Sequence, residues 1–200
     1  MKVYPEPMIN LMEELGKLPG IGRKTAERLA YYILRSPEDE AMKLADAVRD
    51  VKRKIRHCSL CFNISATDPC EVCTDARRDH GTICVVEEPK DVIAIEKIGR
   101  YNGVYHVLMG RIAPLDGVEP DDLTIKQLVE RVKGEGIAEV ILATNPNLEG
   151  DATALHVAKQ LEGIRAKITR IATGIPSGSS IEYVNSAILA DALAGRRDMK

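Results

Sequence analysis

Cys58-Ser59-Leu60-Cys61-Phe62-Asn63-Ile64-Ser65-Ala66-Thr67-Asp68-Pro69-Cys70-Glu71-Val72-Cys73 holds four of the five cysteines in a C-x2-C-x8-C-x2-C spacing. Each C-x2-C pair turns back so that both sulfurs face one point, and two such pairs supply the four soft donors of a closed tetrahedral zinc site. A catalytic zinc keeps one position open, so the fourth thiolate reads as structural. The competing reading, two disulfides, requires an oxidising compartment. Met1 to Asn10 has no basic leader with an apolar core, and no apolar run approaches the roughly 18 residues of a bilayer span, so a cytoplasmic chain without a membrane anchor is expected. His57 adjoins Cys58 but is not needed where four thiolates are available. Cys84, inside Ile83-Cys84-Val85-Val86, reads as a small buried hydrophobe.

Outward from the cysteines toward the start of the chain, the pattern is helical. Met8, Leu11, Met12, Leu15 and Leu18 follow amphipathic spacing until Pro19 and Gly20 stop it. A second helix is expected from Arg23, with Ala26, Leu29, Ala30, Ile33 and Leu34 on one face. Ser36, Pro37 and Asp39 read as the start of a third, whose stripe is Leu44, Val48, Val51 and Ile55. The join Leu18-Pro19-Gly20-Ile21-Gly22-Arg23-Lys24-Thr25-Ala26 sets two glycines around one aliphatic residue, a tight turn that aims amide N–H groups of the next helix at an anion. Lys24 and Arg28, four apart, fall on one side of that helix within reach of phosphate. An ordinary helix-helix turn is the plain alternative. With the basic residues around it, the segment resembles the helix-hairpin-helix nucleic-acid binders, whose site here comprises Gly20, Gly22, Arg23, Lys24 and Arg28. Lys52, Arg53, Lys54 and Arg56 add a basic cluster that is also what a solvated face would carry.

Beyond the cysteines, strands and helices alternate. Strands are expected at Ile83–Val86, Tyr105–Met109, Val140–Ala143 and Ile168–Ala172, with helices at Val92–Ile98, Leu123–Val132 and Ala152–Leu161. Such alternation means an α/β fold with a mostly parallel sheet, flanking helices, and a ligand site at the carboxyl ends of the strands. Acids stand at two of those ends: Glu87, Glu88 and Asp91 after the first strand, Glu149 and Asp151 after the third. Gathered carboxylates suit a hard cation such as Mg2+, while helix-terminal or solvated charges are the plain alternative. The layout is similar to a Toprim domain, with Glu87 as its glutamate and Glu149-x-Asp151 as its D-x-D. Glu149 replaces the first Asp and no tyrosine is placed as a nucleophile, both of which count against metal-dependent chemistry.

Composition narrows the class further. At 200 residues and 44% hydrophobic the chain can bury more than one small core, which excludes disorder. With 4% aromatics, no Trp and one Phe, base stacking on an aromatic platform is not an expected binding mode. The net charge of −2 hides an asymmetry, since residues 1–56 carry 12 basic against 9 acidic side chains and the remainder 16 against 21. A polyanion therefore meets the front of the chain first.

Hairpin helices, a four-cysteine knuckle and a Toprim-like sheet in this order resemble the RecR family of bacterial recombination mediators. Tyr4-Pro5-Glu6-Pro7, Val85-Val86-Glu87-Glu88-Pro89, Ala143-Thr144-Asn145-Pro146 and Gly195-Arg196-Arg197 carry the resemblance beside the motifs above. Phe62 departs from it, standing where glycine is usual. The resemblance implies four parts: a helix-hairpin-helix domain at 1–56, a zinc finger at 57–79, a Toprim domain at 80–174 and a C-terminal segment at 175–200. It implies one structural zinc per subunit on Cys58, Cys61, Cys70 and Cys73, and a ring-shaped homotetramer on double- or single-stranded DNA. It further implies partnership with RecO and RecF in loading RecA during DNA repair, without catalysis. In that family the hairpin Lys and Arg contact DNA, and the acids, here Glu87, Asp91, Glu149 and Asp151, are linked to RecO. Ile188-Leu189-Ala190-Asp191 is the nearest match to a Walker B-like run and reads as a packing or subunit-contact helix, with no G-x4-G-K-[ST] to complete an ATP site. The alternative from another class is a Toprim-type Mg2+-dependent nuclease or other phosphodiester enzyme.

Overall fold

In the computed structural model, which describes residues 4–196, the chain divides between Ile55 and Arg56 into two units. The first unit holds α1 (Glu6–Gly16), α2 (Arg23–Arg35) and α3 (Glu38–Lys54). Helix α2 buries Ala26 and Ala30, small side chains that let α1 approach closely. Gly20 makes the turn between them at φ +79°, a left-handed conformation that costs an L-residue roughly 1–2 kcal/mol. The expected cap at Ser36 is not made. Its hydroxyl donates back to the Tyr32 carbonyl (2.9 Å) and Pro37 leads into α3. The apolar residues Leu44, Val48 and Val51 of α3, and Ile55 just after it, are exposed in the single chain.

The second unit opens with a two-stranded hairpin that the sequence did not announce. Strand β1 (Arg56–His57) pairs antiparallel with β2 (Ile64–Ser65), and the short helix α4 (Glu71–Thr74) follows. Then come β3 (Asp79–Val86), α5 (Pro89–Glu96), β4 (Gly103–Val107), α6 (Ile125–Gly134), β5 (Glu139–Leu142), α7 (Leu148–Gln160), β6 (Lys167–Arg170) and α8 (Ser186–Ala194). The four longer strands form a parallel sheet in the order β4-β3-β5-β6. Ile83 and Val85 of β3 pack on one face against Leu128, Val132 and Val157. Cys84 and Val86 pack on the other against Val92 and Tyr105. Burial on both faces is why the second half of β3 is a continuous apolar run, whereas edge strand β6 is largely polar and partly exposed. No helix among the described residues is long and apolar enough to cross a membrane.

The expected strands and helices are present with shifted ends, and one shift matters. Helix α7 begins at Leu148, not Ala152, because the Asn147 side chain accepts from the Gly150 amide (2.8 Å) and caps it. Glu149 and Asp151 therefore lie in a helical first turn, where acids suit the helix dipole, and not in a loop. Arg197, at the end of the expected Gly195-Arg196-Arg197 string, lies outside the described residues.

Candidate functional site

The strand order places a switch at β3. The chain runs from β3 to β4 on one side and to β5 on the other, so the crevice for a ligand opens where β3 and β5 end. Glu87, 2% exposed, follows β3 there. Its Oε1 accepts from the Asn145 backbone N–H (2.8 Å) and its Oε2 from the Asn145 side-chain amide (2.6 Å). A Cβ at Gly150 would run into the Asn145 carbonyl and stand 2.8 Å from Glu87 Oε1, so the first turn of α7 closes on this pair.

The other three acids are also engaged within the chain. Asp91 and Glu88 form the capping box of α5, with Asp91 Oδ2 accepting from the Glu88 amide (2.8 Å). Glu149 accepts from Arg111, which also lies 3.6 Å from Asp116. Asp151 pairs with Arg170. Arg111 and Arg170 stand 38 and 19 positions from their acids, and no local pattern announces them. Among the described residues, the four acids do not draw three carboxylates to one point; the group that could hold a metal ion is the cysteine quartet. Asp191 of the Walker B-like run lies on α8, in a cavity of about 300 Å³ with Thr144, Arg170 and Ile188.

The quartet is a built site. Cys58, Cys61, Cys70 and Cys73 are buried and their sulfurs all lie within 4.8 Å of one another. The Cys70 amide donates to Cys58 Sγ (3.3 Å) and the Ser59 amide to Asp68 Oδ1 (2.7 Å), holding both turns. Hydrogen bonding to Cys70 and burial push Cys61 up to about 12, whereas hydrogen bonds from its neighbours lower Cys70. Four thiolates cannot share this space without a cation, and an all-sulfur, buried, four-donor set fits zinc. His57 stays out, its Nδ1 3.1 Å from the Phe62 carbonyl. Cys84 is separate, its thiol raised to about 12 by burial, which makes it inert.

This knuckle covers the β4 edge of the sheet. The Val107 amide of edge strand β4 donates to the Cys61 carbonyl (2.8 Å), and buried Arg131 donates to the Tyr105 (2.8 Å) and Leu60 (3.4 Å) carbonyls. An edge so covered cannot template pairing with another chain. Phe62 sits at φ +62°, which is why glycine suits that position, and its ring meets His106 edge-on (centroids 5.3 Å).

At the hairpin, Gly22 precedes α2 with no side-chain cap, and a Cβ there would meet nothing within 4 Å. Arg23, Lys24 and Arg28 are exposed beside it. Lys24 and Arg28 line an open groove along α2 with Glu27, Tyr31, Tyr32 and Arg35.

Comparisons match these parts in order: a RecR helix-hairpin-helix model at residues 9–52, a RecR four-cysteine zinc finger model at 55–75 and a Toprim model at 81–172. The recombination protein RecR of Rhodopirellula baltica is 53% identical over 188 residues, 94% of each chain. The chain belongs to the RecR family. A second RecR, from Koribacter versatilis, is 52% identical over 199 residues and the whole of both chains. RecR relatedness therefore spans the hairpin, the zinc finger and the Toprim sheet alike, and the four clustered cysteines are those of the family's zinc finger.

Proposed function

We propose that this protein is a non-enzymatic DNA-binding mediator of recombinational repair, working in the cytoplasm with RecO and RecF to load RecA onto gapped or single-stranded DNA. Its relatives over the full chain are named recombination proteins. In this reading residues 1–56 bind DNA through Lys24, Arg28 and the amides that follow Gly20 and Gly22. Residues 57–79 hold one structural zinc per subunit. The Toprim part, 80–174, offers Glu87, Asp91, Glu149 and Asp151 to RecO, and 175–200 contributes to a ring-shaped tetramer. The observation that carries the mediator reading over a Mg2+-dependent nuclease is the state of the acids. A phosphoryl-transfer site needs carboxylates free to hold metal against the reacting phosphate. Here Glu87 is tied to Asn145, Glu149 to Arg111 and Asp151 to Arg170.

The test is a DNA-binding titration of the Lys24→Ala/Arg28→Ala variant over a range of salt. Affinity should fall for every sequence, and the slope of log affinity against log salt on duplex should drop by about 0.9 per lost phosphate contact. Unchanged binding with the helices intact would remove the hairpin from the interface. Cleavage of labelled DNA with Mg2+ or Mn2+ that Glu87→Gln abolishes would establish the nuclease instead.

A further inference from the structure

Helix α2 carries more than the hairpin's two cations. Lys24, Arg28 and Arg35 recur along one side of it, within about 40° of arc and spanning about 16 Å of axis. All three are exposed and none has an ion pair among the described residues. The one acid in their groove, Glu27, accepts a hydrogen bond from the Tyr4 hydroxyl (2.6 Å) and so is turned toward its own chain. Between Arg28 and Arg35 stand two rings. Tyr31 is held edge-on by Tyr4 (centroids 6.2 Å, 74°), whereas Tyr32 is 69% exposed. The groove they line has a volume of about 480 Å³.

Cations that follow a backbone, with a flat ring presented between them, are the elements of single-strand recognition. A duplex keeps its base faces stacked on one another, so it can use the cations but leaves the ring without a partner. We infer that the α2 groove is a single-strand site in which Tyr32 stacks on an unpaired base while Lys24, Arg28 and Arg35 hold the flanking phosphates. This departs from what the low aromatic content leads us to expect, and it does so with one ring per subunit in place of an aromatic platform. The inference rests on the hairpin being the DNA-contacting element and adds to it the form of DNA that this face selects.

Fluorescence anisotropy with labelled oligothymidylate and with a blunt duplex of the same length separates the two. Tyr32→Ala should weaken single-strand binding about five-fold to 150-fold, the range that stacking on one base supports, and change duplex binding less than two-fold. Tyr32→Phe keeps the ring and should bind as the parent does. Tyr32→Leu keeps bulk without the ring and should resemble Tyr32→Ala. Arg35→Ala should weaken both and lower the single-strand salt slope by about 0.7. Circular dichroism and gel filtration on each variant establish that helix and assembly are intact. If Tyr32→Ala spares the single strand, or weakens strand and duplex alike, the inference is overturned. Loss of binding in Lys24→Ala/Arg28→Ala would in that event leave the hairpin reading standing, and no loss there would bring down both.

Discussion

Replacing Glu87 by Gln changes one oxygen to NH2 at nearly constant shape, and its cost can be worked from the geometry. Two donors of Asn145, the backbone N–H at 2.8 Å and the side-chain amide at 2.6 Å, converge on the two carboxylate oxygens. An amide offers one acceptor, so one donor must face the new NH2. Losing a hydrogen bond to a charged group costs about 1.5–3 kcal/mol, and leaving a buried group unsatisfied adds about 1–3 kcal/mol. Asn145 itself is exposed, so water can rescue its side-chain donor and the lower parts of both ranges apply. The expected loss is about 2–4 kcal/mol in urea denaturation with an unchanged m value. Asn145→Ala removes the side-chain donor alone and should cost less. The two substitutions should be non-additive by about 1–2 kcal/mol, because they share one interaction. A Glu87→Gln variant within about 0.5 kcal/mol of the parent, the spread of surface changes, would refute the view that this acid ties β3 to β5.

Cys61→Ser should abolish stoichiometric zinc, measured by metal analysis after gel filtration, and promote aggregation as the β4 edge opens, whereas Cys84→Ser should leave zinc unchanged; equal loss from both would sink the assignment. His106, fully buried, is held down to about 4 by burial, and its Nδ1 has no hydrogen-bond partner among the described residues while Nε2 meets the Thr124 carbonyl (3.0 Å). Because its folded value lies below the usual 6.5, its contribution is complete above pH 6.5 and is lost as pH falls through about 4, a total of about 3 kcal/mol. Denaturation midpoints between those limits should fall more steeply in the parent than in His106→Gln, and parallel curves would contradict this.

The parts that local chemistry dictates are legible in the sequence itself. A C-x2-C-x8-C-x2-C spacing brings sulfurs together whatever surrounds it, and strands buried on both faces must be apolar runs, so Ile83–Val86 and Val140–Ala143 stand close to β3 and β5. Gly20 declares its turn in the same way. Other features depend on which distant groups meet. Asn145-Pro146-Asn147 reads as loop punctuation, and only the Asn147 bond to the Gly150 amide turns Glu149 and Asp151 into a helical first turn. The covering of β4 by the knuckle rests on Cys61 meeting Val107, two residues with nothing in their types to suggest it. Phe62 reads in sequence as a departure of size. Its positive φ makes it one of backbone conformation as well, offset by contact of its ring with His106.

The acids raise the question of why a Toprim pattern persists where its carboxylates are already engaged. Each has work within the chain: Glu87 joins two strand ends, Asp91 closes a capping box, and Glu149 and Asp151 fasten Arg111 and Arg170. The pairs at Glu149 and Asp151 are partly exposed, and such surface ion pairs are worth little, about 0–1 kcal/mol. An incoming basic surface can therefore exchange with Arg111 or Arg170 at small cost, whereas a cation seeking Glu87 must break two hydrogen bonds to Asn145 and, among the described residues, finds no cluster of three acids to receive it. In the proposed reading the arrangement therefore suits docking of a basic partner at the rim better than metal at the centre. It also dictates how the rim is probed. Charge reversal at Glu149 would set a cation against Arg111 and alter two groups at once, while Glu149→Gln removes the charge and leaves Arg111 free to report on whether the acid or its partner is what the docking surface uses.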